Sequence, residues 1–273
     1  MPNTTHAPTQ QHPLRLLALD TSTEQLSLAL GLWQANTATP TQLWQHTGAG
    51  AAQSSATLIP AIQHLLAQAN MALTQLGAIV FGNGPGSFTG LRTACSVAQG
   101  LALGANLPVL PINTLLATAQ DWHSRHAPPQ TSGSIWALLD ARMDEIYAEH
   151  WQWHTTGSGT ATRTQWHCAS PACLIKPEQL LQLPGITPTA TCAGNVQAAY
   201  SARLPLCVQP AMPTAQAMLQ LAPALLAQNA SCDPALALPR YVRDKVAQTT
   251  AERAALQQAT QHAQAATGTT PSA

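Results

Sequence analysis

The 273-residue chain carries 11 Lys and Arg against 11 Asp and Glu, so its formal charge at pH 7 is zero; it lacks the basic excess that drives binding to phosphate backbones. No apolar run approaches the ~18 residues of a membrane span, and six cysteines without a Cys-x-x-Cys pair, with the ten histidines not placed at zinc-ligand spacing from them, form neither a disulfide framework nor a zinc pattern. The length suits one large core or two small ones.

Residues 1–13 are polar, offer little apolar surface and lack the apolar h-region of a signal peptide, so they are expected to be a disordered tail on a soluble, cytoplasmic protein with free thiols. Strands are predicted near 14–20 and 25–33, joined by the polar turn Asp20-Thr21-Ser22-Thr23, with a further strand near 41–46. A helix is predicted near 54–70, where Leu58, Ile59, Ile62, Leu65, Leu66 and Ala69 recur at helical spacing and Gln63, His64 and Gln68 occupy the other face. A buried strand near 77–82 leads into Gly82-Asn83-Gly84-Pro85-Gly86-Ser87-Phe88-Thr89-Gly90-Leu91-Arg92, where glycines and Pro85 force a turn and Ser87 or Thr89 can cap a helix over 88–104.

That glycine-rich loop invites a phosphate-binding reading. Its spacing argues otherwise: five on from Gly84 stands Thr89 with no lysine after it, so it is not a Walker A loop. Gly84, Gly86 and Gly90 miss the dinucleotide fingerprint by one position, and Ser87 directly follows Gly86, unlike a nucleophile elbow.

From Gln25 to Leu91 there is no Asp, Glu, Lys or Arg. Two helices without a charged rim are poorly suited to facing only water, and the small residues Ala94, Ala98, Gly100, Ala102 and Gly104 allow close helix approach. The expected partner-binding residues are therefore Leu58, Ile62, Leu65, Leu66, Ala94 and Ala98. General replacement of charged residues by Ala and Gln is the plainer explanation.

The segment Ile135-Trp-Ala-Leu-Leu-Asp140-Ala-Arg-Met-Asp-Glu-Ile146 repeats the plan of 16–30: an apolar strand ends on an aspartate, and an alternating strand returns after a polar turn. The Asp20-to-Asp140 spacing fits a duplicated lobe of ~120 residues. The expected organisation is lobe one over 14–111, lobe two over 112–211, and a segment over 212–248 packing back on lobe one. That segment opens with a helix from Met212 to about Gln228, including Leu219, Leu225 and Leu226. Residues 249–273 are expected to be a tail, with Ala251 to Ala266 able to extend a helix.

Four segments in order resemble the bacterial TsaB (YeaZ) family: Leu17-Ala-Leu-Asp20-Thr21-Ser22, the stretch Gly84-Pro85-Gly86-Ser87-Phe88-Thr89-Gly90-Leu91-Arg92, Leu139-Asp140-Ala141-Arg142-Met143-Asp144-Glu145-Ile146-Tyr147, and Leu238-Pro239-Arg240-Tyr241-Val242-Arg243. The resemblance implies the α/β two-lobed actin-like ATPase (ASKHA) fold, a duplicated mixed sheet with flanking helices. It also implies a non-catalytic place in synthesis of threonylcarbamoyladenosine (t6A) at tRNA adenosine 37. TsaD would perform the transfer, this chain would dock and activate it in a heterodimer and help recruit TsaE, and TsaC-type enzymes would make the adenylate. A homodimer is the other pairing implied, and tRNA would be met only through the complex. ATP and Mg would serve the complex, with no cofactor intrinsic to this chain.

In that fold Asp20, Thr21 and Ser22 would form a phosphate turn, here vestigial; capping of a hairpin through side-chain to backbone hydrogen bonds is the plain alternative. The second turn, Asp140-Ala141-Arg142-Met143, lacks glycines and hydroxyls, and Thr191 to Val196 keeps one glycine where the family tends to carry Gly-x-Gly. TsaD proteins hold a metal with His-x-x-x-His on a lobe-one helix; the stretch from Ala51 to Pro60, followed by a single His64, has no such pair, and Ser54-Ser55 stands where the family often shows His-Ser. No metal site is expected. Asp140, Arg142, Asp144 and Glu145 are either a partner-facing or tRNA-facing group or a solvated ion-pair cluster. A self-sufficient sugar or acyl-phosphate kinase of the same fold is the alternative function; a peptidase would need a Ser-His-Asp or metal arrangement that cannot be located.

Overall fold

The computed structural model describes residues 13–34, 37, 39–50, 53–126, 131–157 and 163–243; the two expected tails, residue 13 apart, and the Ala251–Ala266 stretch lie outside them. Strand β1 (Leu14–Asp20) pairs antiparallel with β2 (Gln25–Trp33), and β2 with β3 (Gln42–Ala49). After helix α1 (Ser54–Gln68), β4 (Ala78–Gly84) lies parallel to β1, with Leu16 opposite Ala78 and Leu19 opposite Phe81. Helix α2 (Phe88–Ala105) then returns the chain to β5 (Val109–Asn113), parallel to β4. Ser87 caps α2 by accepting from the Gly90 N–H, and Asn106 closes it in the left-handed conformation, φ 54°.

Helix α3 (Thr114–His126) leads to a second sheet of β6 (Ser132–Arg142), β7 (Glu145–Thr156), β8 (Arg163–Ile175), β9 (Cys192–Gly194) and β10 (Gln209–Pro210), with the short α4 (Gln197–Tyr200) after β9 and α5 (Ala215–Ala227) after β10. The sheet orders are β3-β2-β1-β4-β5 and β10-β9-β6-β7-β8. Matching β6 to β1 makes them the same order: two antiparallel neighbours on one side of the central strand, parallel neighbours on the other. The hairpin echo in the sequence is thus a duplication of a whole sheet.

The alternation of side chains along β1 and β4 sorts them between two cores. Leu17, Leu19, Ile79 and Phe81 face α1 and α2, meeting Leu58, Ile62, Leu65, Ala94 and Ala98. Leu16, Ala18, Ala78 and Val80 face the other way, into a core shared with α3, α5 and the second sheet's Ile135, Ala137 and Leu139. β1 and β4 are apolar on both faces because they are covered on both. A third core joins Trp136, Leu138 and Ile146 to Leu180, Val196 and Tyr200.

Candidate functional site

The central parallel strands β1, β4 and β5 end at Asp20, Gly84 and Asn113, where open α/β sheets collect their ligands. Asp20, Thr21, Ser22 and Thr23 are 0–7% exposed. Asp20 Oδ1 accepts from the Ser22 N–H at 3.0 Å and the Ser22 hydroxyl at 2.8 Å, while Oδ2 is buried without a hydrogen-bond partner. Oδ2 occupies the space over Gly82, where an added Cβ would fall 1.9 Å from it. Burial pushes the Asp20 carboxyl up to about 7, against the Ser22 hydrogen bonds that pull it down.

The glycine-rich loop closes over this turn. The Thr21 hydroxyl donates to the Gly90 carbonyl at 2.6 Å and the Ser87 N–H to the Ser22 carbonyl at 2.7 Å. Gly86 and Gly90 lie so close that added Cβ atoms would fall 2.6 Å from Ser22 O and 1.8 Å from Thr21 O. Thr114 donates its hydroxyl to the Pro85 carbonyl and fastens the loop to α3. A nucleotide phosphate does not fit these residues: the Thr21 and Ser22 hydroxyls are engaged internally, and the loop glycines admit protein backbone rather than an anion.

The strands also deliver a buried carboxylate that sequence reasoning passed over. Glu149, 1% exposed, accepts from the Asn113 amide at 2.7 Å and the Trp151 indole N–H at 3.2 Å, and the Arg240 guanidinium lies 3.5 Å away. Burial pushes its carboxyl up, opposed by these same partners. The signal was present, since Tyr147, Glu149, Trp151 and Trp153 alternate along one face of β7 and the three aromatics are core residues.

The Pro239-Arg240-Tyr241 segment joins both regions. The Arg240 N–H donates to the Asn83 carbonyl at 2.6 Å, and its own carbonyl presses on Gly84, where φ is +116° and a Cβ would fall 2.4 Å from it. The Arg92 guanidinium lies 3.8 Å from the Phe88 ring centroid and donates to the Tyr241 hydroxyl at 3.1 Å. Two sequence motifs 149 positions apart therefore make one unit.

In the second sheet Asp140 Oδ1 accepts from the Tyr200 hydroxyl at 2.8 Å and the Arg142 N–H at 2.7 Å. The Arg142 guanidinium lies 2.9 Å from Asp140 and 3.6 Å from Glu24, joining the two pseudo-equivalent turns. Arg142, Met143 and Asp144 all have positive φ, a run that non-glycine residues adopt only when held. Glu145 contributes its carbonyl, 3.4 Å from the Tyr200 hydroxyl. Gly194 is needed for packing, since its Cβ would fall 1.6 Å from the Leu138 carbonyl.

The expected partner residues on α1 and α2 require correction. Leu58, Ile62, Leu65, Ala94 and Ala98 are 0–1% exposed and Leu66 is half-buried against the same core. The apolar stripe is the face that holds the helices to their own sheet. What the helices turn outward is Ile59 (46% exposed), Gln63 and His64 on α1, with Ser96, Gly100, Leu103 (61%) and Gly104 on α2. Added Cβ atoms at Gly100 and Gly104 would meet nothing within 4 Å.

Two equivalent sheets, with a turn at the end of each central strand, define a protein of the two-lobed actin-like (ASKHA) class whose first such turn, Asp20 to Thr23, is buried. A protein-family model described as "TsaD: tRNA N6-adenosine threonylcarbamoyltransferase" matches residues 49–267. The chain is 35% identical over 237 residues to the tRNA threonylcarbamoyladenosine biosynthesis protein TsaB of Haemophilus influenzae, covering 85% of this chain and 95% of that protein. It is 31% identical to TsaB of Escherichia coli, covering 86% and 96%. The solved structure of YeaZ from Pseudomonas aeruginosa superposes with a TM-score of 0.67 at 31% identity, covering 84% of this chain and 99% of that one. The chain belongs to the TsaB (YeaZ) family.

Proposed function

We propose that this chain is the non-catalytic subunit of a tRNA threonylcarbamoyladenosine synthesis complex in the cytoplasm. It docks a TsaD-type transferase as a heterodimer, supports its active conformation and helps recruit TsaE. The sealed Asp20–Ser22 turn carries this reading: the family to which the chain belongs is named for t6A synthesis, and here the one turn suited to phosphate is buried against residues 84–90. That burial also counts against a self-sufficient kinase. ATP and Mg belong to the partners, and the bulk of the tRNA is held by them, because this chain has no net positive charge.

The docking face is the outward surface of α1 and α2. Between Gln25 and Gln120 the sequence has a single charged residue, Arg92, so helices of a partner can approach Gly100 and Gly104 without desolvating ions. In the absence of TsaD the same face pairs two copies of this chain. Mixing the purified chain with the TsaD protein of the same organism and weighing the eluted species tests the reading. A 1:1 complex is expected to displace any homodimer; two proteins that elute apart at micromolar concentration would contradict it.

A further inference from the structure

The cluster of Phe88, Arg92 and Tyr241 remains unassigned by the reading above. We propose that these three side chains are a direct contact for single-stranded RNA, stacking an unpaired base and holding its phosphate; this rests on the reading that the chain serves a tRNA-modifying complex.

Three planar groups meet there. The Arg92 guanidinium lies 3.8 Å over the Phe88 ring, the Phe88 and Tyr241 rings lie 5.3 Å apart at 36°, and Arg92 Nε binds the Tyr241 hydroxyl. Phe88 is 38% exposed and Tyr241 43%, so both rings keep surface in water although each is large enough to be a core residue. Arg92 is exposed, and among the described residues no carboxylate pairs with it. It stands near the N-terminal end of an 18-residue helix, where the helix dipole is positive and favours an anion. No other charged residue occurs from Gln25 to Gln120, so nothing in that stretch repels a phosphate.

An exposed guanidinium held flat beside exposed rings is the combination with which proteins hold unpaired bases: π-faces stack the base and the cation takes the backbone. A partner carboxylate would satisfy the charge and leave the rings in water. A single cation gives little bulk affinity, so the cluster orients a strand that the complex holds elsewhere.

Fluorescence anisotropy with a labelled RNA hairpin carrying an adenosine-rich loop tests this on the full chain, alone and with TsaD, over a salt series. Arg92→Gln is expected to weaken binding about 10-fold and to flatten the log K against log salt slope by about 0.7. Arg92→Lys should keep the slope while losing most of the affinity, and Phe88→Leu should lose affinity at unchanged slope. An unchanged affinity and slope in Arg92→Gln overturns the inference, as does a loss of TsaD pairing with RNA affinity retained, which would make the cluster a protein contact. Failure here leaves the subunit reading standing if t6A formation still requires the chain. A reaction that proceeds without the chain removes the subunit reading, whatever the RNA measurement shows.

Discussion

The hydroxyl of Thr21 donates to the carbonyl of Gly90 at 2.6 Å, binding the turn after β1 to the first turn of α2 across 69 positions of sequence. The contact needs a glycine at position 90, because any Cβ there would sit 1.8 Å from the Thr21 carbonyl. Gly90→Ala is expected to destabilise the protein by about 3 kcal/mol, as overpacking against immovable backbone does. Gly100→Ala on the same helix, with open space around it, should gain up to about 1 kcal/mol. Urea unfolding of both variants checks the pair; equal effects would contradict the sealed-turn geometry.

Asp20 should make stability depend on pH in an unusual direction. Its carboxyl rises from an ordinary 3.8 to about 7 in the folded protein, so between those values the native state keeps a proton that the unfolded chain releases. Its contribution is most favourable below pH 4, weakens as pH rises to 7 and is level above that. The span amounts to roughly 4 kcal/mol. Asp20→Asn, which cannot ionise, is expected to remove this slope, and the difference between wild-type and variant unfolding from pH 4 to 8 measures it. Parallel profiles would show that Asp20 is ionised throughout.

Arg240 and Glu149 tie the C-terminal segment to the second sheet. Arg240→Ala leaves a buried carboxylate without its cation and should cost more in the wild-type background than in Glu149→Gln, with a coupling of about 1 kcal/mol. Additive effects in a double-mutant cycle would mean the 3.5 Å approach contributes nothing.

Much of the first sheet was legible: β1 and β2 follow the predicted bounds, and α1, β4 and α2 lie within two residues of them. Periodicity names an element, but it does not say which neighbour covers its apolar face. The stripe through Leu58 and Ile62 was therefore visible as a stripe, and only the sheet beneath it shows that it is core. The site was less legible than the fold. Asp20 and Gly90 are recognisable separately, but the burial of one beneath the other is a tertiary fact. Helix α3 carries buried Thr114, Thr118 and Gln120 among its apolar residues, a polar admixture that obscures any stripe. The joining of Arg92 to Tyr241 depends on a chain crossing that no local pattern encodes.

The corrected helix faces give opposite expectations for two kinds of substitution. Ile62→Arg and Ala98→Arg place a charge in the core and should abolish folding, seen as loss of circular dichroism and of soluble protein. Ile59→Arg and Leu103→Arg should change stability by less than about 1 kcal/mol while abolishing the 1:1 complex with TsaD in size-exclusion chromatography. A complex that survives both surface changes would move the docking face elsewhere.

The most direct test of a non-catalytic subunit is reconstituted t6A formation from labelled threonine with TsaC, TsaD, TsaE, ATP and tRNA, run without this chain, with it, and with Asp20→Asn. Turnover is expected to require the chain and to be retained, within about twofold, by Asp20→Asn. Turnover without the chain, or turnover lost in Asp20→Asn while the complex with TsaD stays intact, would contradict it.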